Sequence, residues 1–121
     1  MAILWLTGNS KSGKTTLAKK LIGKNCIHLD GDILRNIWKD IDLSEEGRRE
    51  QGLRTARLAK ELENQGYTVI VSVIAPYESL RKEIQTITDC KFIYIEGGKT
   101  GKDYPYEIPQ NPVLKINQQN F

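Results

Sequence analysis

The run Gly8-Asn9-Ser10-Lys11-Ser12-Gly13-Lys14-Thr15 fits the spacing G-x-x-x-x-G-K-[ST], and Thr16 follows it. That spacing suits one chemistry, the cradling of a polyphosphate. Glycines let the backbone wrap closely around phosphate oxygens with its N–H groups turned inward. A helix that starts at this point adds the partial positive charge of its N-terminus. Lys14 has the reach to meet the β- and γ-phosphates, and the Thr15 hydroxyl can ligate Mg²⁺. Lys11 is a second cation inside the loop, set either against phosphate or in solvent. The implied ligand is ATP with Mg²⁺.

A second group of residues could complete the chemistry. Phosphate loops of this kind usually work with an Asp at the end of a later strand, which helps to hold the metal. The apolar run 68–75 ends without an acid. Asp30-Gly31-Asp32 instead follows the shorter apolar run 26–29. Two carboxylates at a strand tip would face the same crevice as the loop. One could hold metal-bound water while the other accepts a proton from a substrate hydroxyl. The same residues also suit a polar turn that caps the next helix.

Positioning these groups requires strands before the loop and beside it. Residues 3–7 read as a buried strand. Residues 14–22 read as a helix, with Leu17, Ala18, Leu21 and Ile22 on one face and Gly23 as its stop. Residues 26–29 form a second strand and 33–39 a short helix. Ser44 opens a long helix that runs to about residue 65, with Gly66 beyond it as a C-cap. Residues 68–75 (TVIVSVIA) are rich in β-branched side chains and predict a third strand. A helix over 78–88, a strand over 91–95 and a short strand over 113–116 follow. Residues 96–112 read as a loop and 117–121 as a frayed polar end. Helices alternating with near-continuous apolar strands predict a three-layer α/β/α P-loop NTPase fold, with a five-stranded parallel sheet in one domain over residues 1–121.

Composition adds little beyond this. The net charge of +3 suits anionic small ligands and does not point to nucleic acid. Cys26 and Cys90 match no metal or redox spacing and read as free thiols, which suits a reducing, cytoplasmic setting. The apolar start is short, lacks a basic flank and runs directly into the loop, so it reads as a strand and not as a leader. No apolar stretch is long enough to span a bilayer.

With these segments located, the chain resembles the adenylylsulfate kinase family. The resemblance rests on GNSKSGKTT at 8–16, LDGDILR at 29–35, SEEGRREQGLR at 44–54, VIVSVIAPY at 69–77 and TGKDYPYEIPQNP at 100–112. It implies transfer of the γ-phosphoryl group of ATP to the 3′-hydroxyl of adenosine 5′-phosphosulfate. By position it implies that Lys14 and Thr15 serve ATP and Mg²⁺, with Asp30 nearer the metal and Asp32 at the acceptor hydroxyl. It implies that Arg35 and Arg48 bind the substrate's anionic part through forked hydrogen bonds. Gln51, Ile74, Ala75, Thr100 and Gly101 would line the acceptor pocket.

The chain also departs from the family. Ile95 is followed almost at once by Thr100, so the family's long lid segment is missing, as is its C-terminal helix. Leu43 and Lys99 align with two phenylalanines that clamp the substrate's adenine. Gly47, Gln51, Leu53 and Ala75 stand where the family has aspartate, asparagine, arginine and serine. The donor side is intact and the acceptor side altered. Three alternatives therefore stand beside the first reading: a kinase with another acceptor, a nucleotide-binding module without turnover, and a P-loop hydrolase that acts as a switch. The last lacks a guanine-reading N-K-x-D. A homodimer is also expected.

Overall fold

A computed structural model describes residues 2–120. Five strands, β1 (Ile3–Thr7), β2 (Cys26–Asp30), β3 (Thr68–Ser72), β4 (Lys91–Ile95) and β5 (Leu114–Ile116), form one sheet in the order β2-β3-β1-β4-β5. Every neighbouring pair is parallel. Four helices connect or cover them: α1 (Lys14–Leu21), α2 (Gly31–Ile37), α3 (Glu45–Asn64) and α4 (Glu78–Ile87).

The alternation of side chains along each strand divides the core into two layers. Ile3, Trp5, Val69, Val71 and Phe92 pack with Ala56 and Ala59 of α3 and Leu80 and Ile84 of α4. Leu6, Ile70 and Ile95 point to the opposite face and pack with Leu17 and Ala18 of α1. This is the three-layer arrangement expected for strands that are apolar on both faces. The order of the strands reverses between β1 and β3, and the crevice beyond their carboxyl ends lies there.

Several boundaries differ from the sequence expectation, most of them by one or two residues, and three are instructive. The third strand stops at Ser72 and not at residue 75, because Ala75 adopts φ 47 and Pro76 has no N–H for the ladder. The carbonyls that leave the ladder are paired by side chains. Thr7 Oγ1 donates to Ile74 O at 2.6 Å, and Arg81 Nη1 donates to Ala75 O at 2.6 Å. The second helix begins at Gly31, two residues early, since Asp30 caps it by accepting from Asp32 N and Ile33 N. The polar end takes a regular turn over its described part. Gln118–Asn120 form a 3-10 turn, and Gln118 Nε2 donates to Lys11 O at 3.2 Å. Phe121 lies outside the described residues.

The stretch between β4 and β5 contains no helix, as expected, yet it is docked along its length. Lys99 N donates to Ser10 O at 2.7 Å, and Asn9 Nδ2 donates to the carbonyls of Lys99 and Tyr104. Tyr106 stacks on Tyr94 with ring centroids 5.8 Å apart, and its hydroxyl pairs with Thr7 Oγ1 at 2.8 Å. Glu107 N donates to Pro76 O at 2.7 Å, while Glu107 Oε1 accepts from Glu78 N and so caps α4 from a distant segment.

Candidate active site

The phosphate loop joins β1 to α1. Gly8 can carry no side chain, since a Cβ there would lie 2.4 Å from Ile95 O. Gly98, at φ +84, crosses the loop from outside, and a Cβ on it would meet Ser10 O at 2.5 Å. Lys14 opens α1 and is buried. Its Nζ donates to Asn9 O at 2.9 Å and lies 3.5 Å from Ser12 Oγ. Burial pushes the amine down to about 8, against the opposing pull of Asp32 and Asp30.

Asp30, at the end of β2, divides its two oxygens between two tasks. Oδ2 accepts the α2 cap bonds from Asp32 N (3.1 Å) and Ile33 N (3.2 Å). Oδ1 faces the loop and accepts from Thr15 Oγ1 at 2.7 Å and Ser72 Oγ at 3.2 Å. Burial alone would raise this carboxyl, but the donors Thr15, Ile33 N–H and Ser72 outweigh it and hold Asp30 below its ordinary value. The helix-cap reading of this turn is therefore observed, and Oδ1 is left facing the loop.

A cleft of about 490 Å³ opens at this point. Ser10, Lys11, Gly13, Lys14, Thr15 and Thr16 line its loop side. Asp30, Asp32, Arg35, Gln51 and Ile74 line the other side. Asp32 is largely exposed and forms an ion pair with Arg35. Gln51, buried on α3, donates through Nε2 to Gly31 O at 2.8 Å and fixes the start of α2.

Other expected site residues stand elsewhere. Asn9 and Ser12 are buried under the loop and brace it from behind. Arg48 does not join Arg35 at the cleft, because its Nε donates to Leu43 O at 2.8 Å. Ala75 is buried behind Ile74, and its carbonyl is taken by Arg81. Thr100 and Gly101 are exposed on the outer side of the loop and do not line the cleft. Three lining residues were not foreseen: Gly31, Ser72 and Gln118. Ser72 carried a signal, as a hydroxyl inside the apolar run 69–75. Gln118 carried none.

The donor set suits a hard cation. Thr15 and Asp30 offer a hydroxyl and an ionised carboxylate at one point, and Mg²⁺ binds protein through one or two such oxygens with phosphate and water completing its shell. Among the described residues no cluster of three or more His, Cys, Asp or Glu forms a full protein cage.

A phosphate loop, a cation-ready hydroxyl–carboxylate pair and an acid–arginine pair around one cleft define a P-loop phosphotransferase. Residues 1–97 match the family described as adenylylsulphate kinase, and the chain belongs to that family of kinases. A probable adenylyl-sulfate kinase of Pyrococcus abyssi is 32% identical over 149 aligned positions, which cover 98% of this chain and 86% of that protein. That alignment is longer than the chain's 121 residues, so the relative carries residues inserted where this chain has none. The cytidine diphosphoramidate kinase of Campylobacter jejuni subsp. jejuni is 39% identical over 104 positions, covering 78% of this chain and 59% of that enzyme. The APS kinase CysC of Mycobacterium tuberculosis (Cys556Ala mutant) superposes with a TM-score of 0.77 at 28% identity, covering 98% of this chain and 86% of that one.

Proposed function

We propose that this chain, acting as one domain, transfers the γ-phosphoryl group of Mg·ATP to the 3′-hydroxyl of a nucleotide that carries an anionic group, with adenosine 5′-phosphosulfate as the leading acceptor. One observation carries the reading: Lys14, Thr15, Asp30, Asp32 and Arg35, drawn from two separate segments, line a single cleft. Lys14 neutralises charge that develops on the transferred group, and loop N–H groups hold the phosphates. Thr15 and Asp30 would hold Mg²⁺, which when bound would offset phosphate charge. Asp32 accepts the proton of the acceptor hydroxyl, and Arg35 both orients Asp32 and meets the acceptor's anion. The free thiols of Cys26 and Cys90 suit a reducing cytosol, and no helix among the described residues is long and apolar enough to cross a membrane.

A second acceptor, cytidine diphosphoramidate, is favoured by a specific feature. Among the described residues no aromatic side chain lines the cleft, so a large purine gains no stacking partner there. The Campylobacter jejuni relative named for that substrate shares 39% identity with this chain. The test is coupled ADP release from Mg·ATP with each acceptor in turn, against Lys14→Ala. Release that depends on adenosine 5′-phosphosulfate supports the first reading. Release that depends only on the cytidine compound moves the acceptor to the second. Binding of ATP with no acceptor-dependent release by either compound overturns the assignment of these acceptors.

A further inference from the structure

The metal-side carboxylate is held by more than the phosphate loop and the helix it caps. The parallel register of β2 and β3 sets Ser72 directly beside Asp30. His28 lies two residues before Asp30, so the alternation of the strand puts both side chains on one face. His28 Nε2 and Ser72 Oγ are 2.7 Å apart, and Ser72 Oγ is 3.2 Å from Asp30 Oδ1. Ser72 is almost fully buried and His28 half-buried.

Proton bookkeeping orders this chain. An ionised carboxylate only accepts, so the single Ser72 hydroxyl proton must point to Asp30. The Ser72 oxygen is then free to accept, and His28 must supply the proton from Nε2. The order is His28 Nε2–H to Ser72 Oγ–H to Asp30 Oδ1, with Thr15 Oγ1–H arriving at the same oxygen from the loop. Thr15 is shared between Asp30 and the cation that the loop serves. Ser72 has no such second duty, which makes it the constant donor.

We propose that His28 and Ser72 are positioning residues for the cation site, a hydrogen-bond relay that fixes the direction in which Asp30 presents Oδ1 to the phosphate loop. The inference rests on the reading of Thr15 and Asp30 as the metal pair. His28 does not line the cleft, and Ser72 does so beside Asp30. Both act through Asp30, as outer-shell partners do at other metal sites, where their loss costs about 10- to 100-fold in metal affinity.

The test is Mn²⁺ affinity in the presence of ADP, followed by electron paramagnetic resonance, with the Mg²⁺ dependence of ADP formation as a second readout. His28→Leu and Ser72→Ala are expected to weaken Mn²⁺ by about tenfold or more, with metal-free ADP affinity unchanged. His28→Gln, whose amide keeps a donor near Nε2, and Ser72→Thr, which keeps the hydroxyl, are expected to stay within about threefold of the native protein. The relay is overturned if His28→Leu and Ser72→Ala bind Mn²⁺ like the native chain while Asp30→Asn does not. It is also overturned if His28→Gln fails as badly as His28→Leu, since packing and not the donated proton would then be at issue. An Asp30→Asn variant with native Mn²⁺ affinity would overturn the metal pair itself, and the relay with it.

Discussion

The two walls of the cleft are built in different ways. On the donor wall, Lys14 is buried and bonded to the loop backbone, and Asp30 accepts four hydrogen bonds. On the proposed acceptor wall, Asp32 is exposed and its carboxylate pairs with Arg35, a neighbour on the same helix. Preorganised groups in a buried setting act more strongly on charge than solvated ones and need no rearrangement when the ligand arrives. The donor wall is thus ready for phosphate before any ligand binds. The proposed acceptor wall is more exposed, and on that proposal its acid–arginine pair would be parted or shared when an anionic substrate enters.

Changes on either wall can break or sharpen this contrast. The largest effect is expected for Lys14→Ala. Loss of one preorganised positive donor at the transferred group should lower kcat by about 10²–10³-fold or more, measured by steady-state ADP release. Next come the two arginines, compared side by side. Arg35→Ala should raise the acceptor KM by about 10- to 100-fold, the scale of a charge-assisted hydrogen bond, while the KM for ATP holds. Arg48→Ala should change the acceptor KM by less than about threefold, because Arg48 is spent on Leu43 O. Equal effects from the two would contradict the placement of the acceptor wall.

A smaller effect tests the brace behind the donor wall. Gly98→Ala forces a side chain into a left-handed backbone position and against Ser10 O and Ser12 N. It should cost about 1–3 kcal/mol in chemical denaturation, and the KM for ATP should rise with it. The smallest effect is a pH trend. Lys14 in the folded chain loses its proton near pH 8 and the unfolded side chain near 10.5. ATP affinity should therefore decline as pH rises through about 8. Stability should move the other way, since between the two values the unfolded chain binds more protons and stability rises with pH. Calorimetric titration and thermal melts over pH 7–10 would check the two signs.

The contrast also explains what could be read from the sequence. The donor wall is local. Its loop, the strand before it and the helix after it are contiguous, so spacing and periodicity locate Gly8, Lys14 and Thr15 together. Asp30 was legible too, because it ends an apolar run, although the sharing of its two oxygens between α2 and Thr15 was not. The third strand was drawn too long because Val73 and Ala75 are as buried as strand residues while their backbone has already turned away. The segment between β4 and β5 looked like an unstructured loop because its partners, Asn9, Thr7 and Pro76, lie far away in the chain. Arg81 went unremarked for the same reason. It is buried and serves Ala75, Glu78 and Glu107, a role that no local pattern announces.

The most direct test of the divided cleft is Asp32→Asn, with Mg·ATP binding measured by calorimetry and phosphoryl transfer by single turnover with the acceptor. The account predicts an ATP affinity within about twofold of the native chain and a transfer rate reduced by about 10²–10⁴-fold, the range for loss of a general base. An ATP affinity weakened tenfold or more, with transfer reduced only in proportion, would place Asp32 on the donor wall and contradict the division.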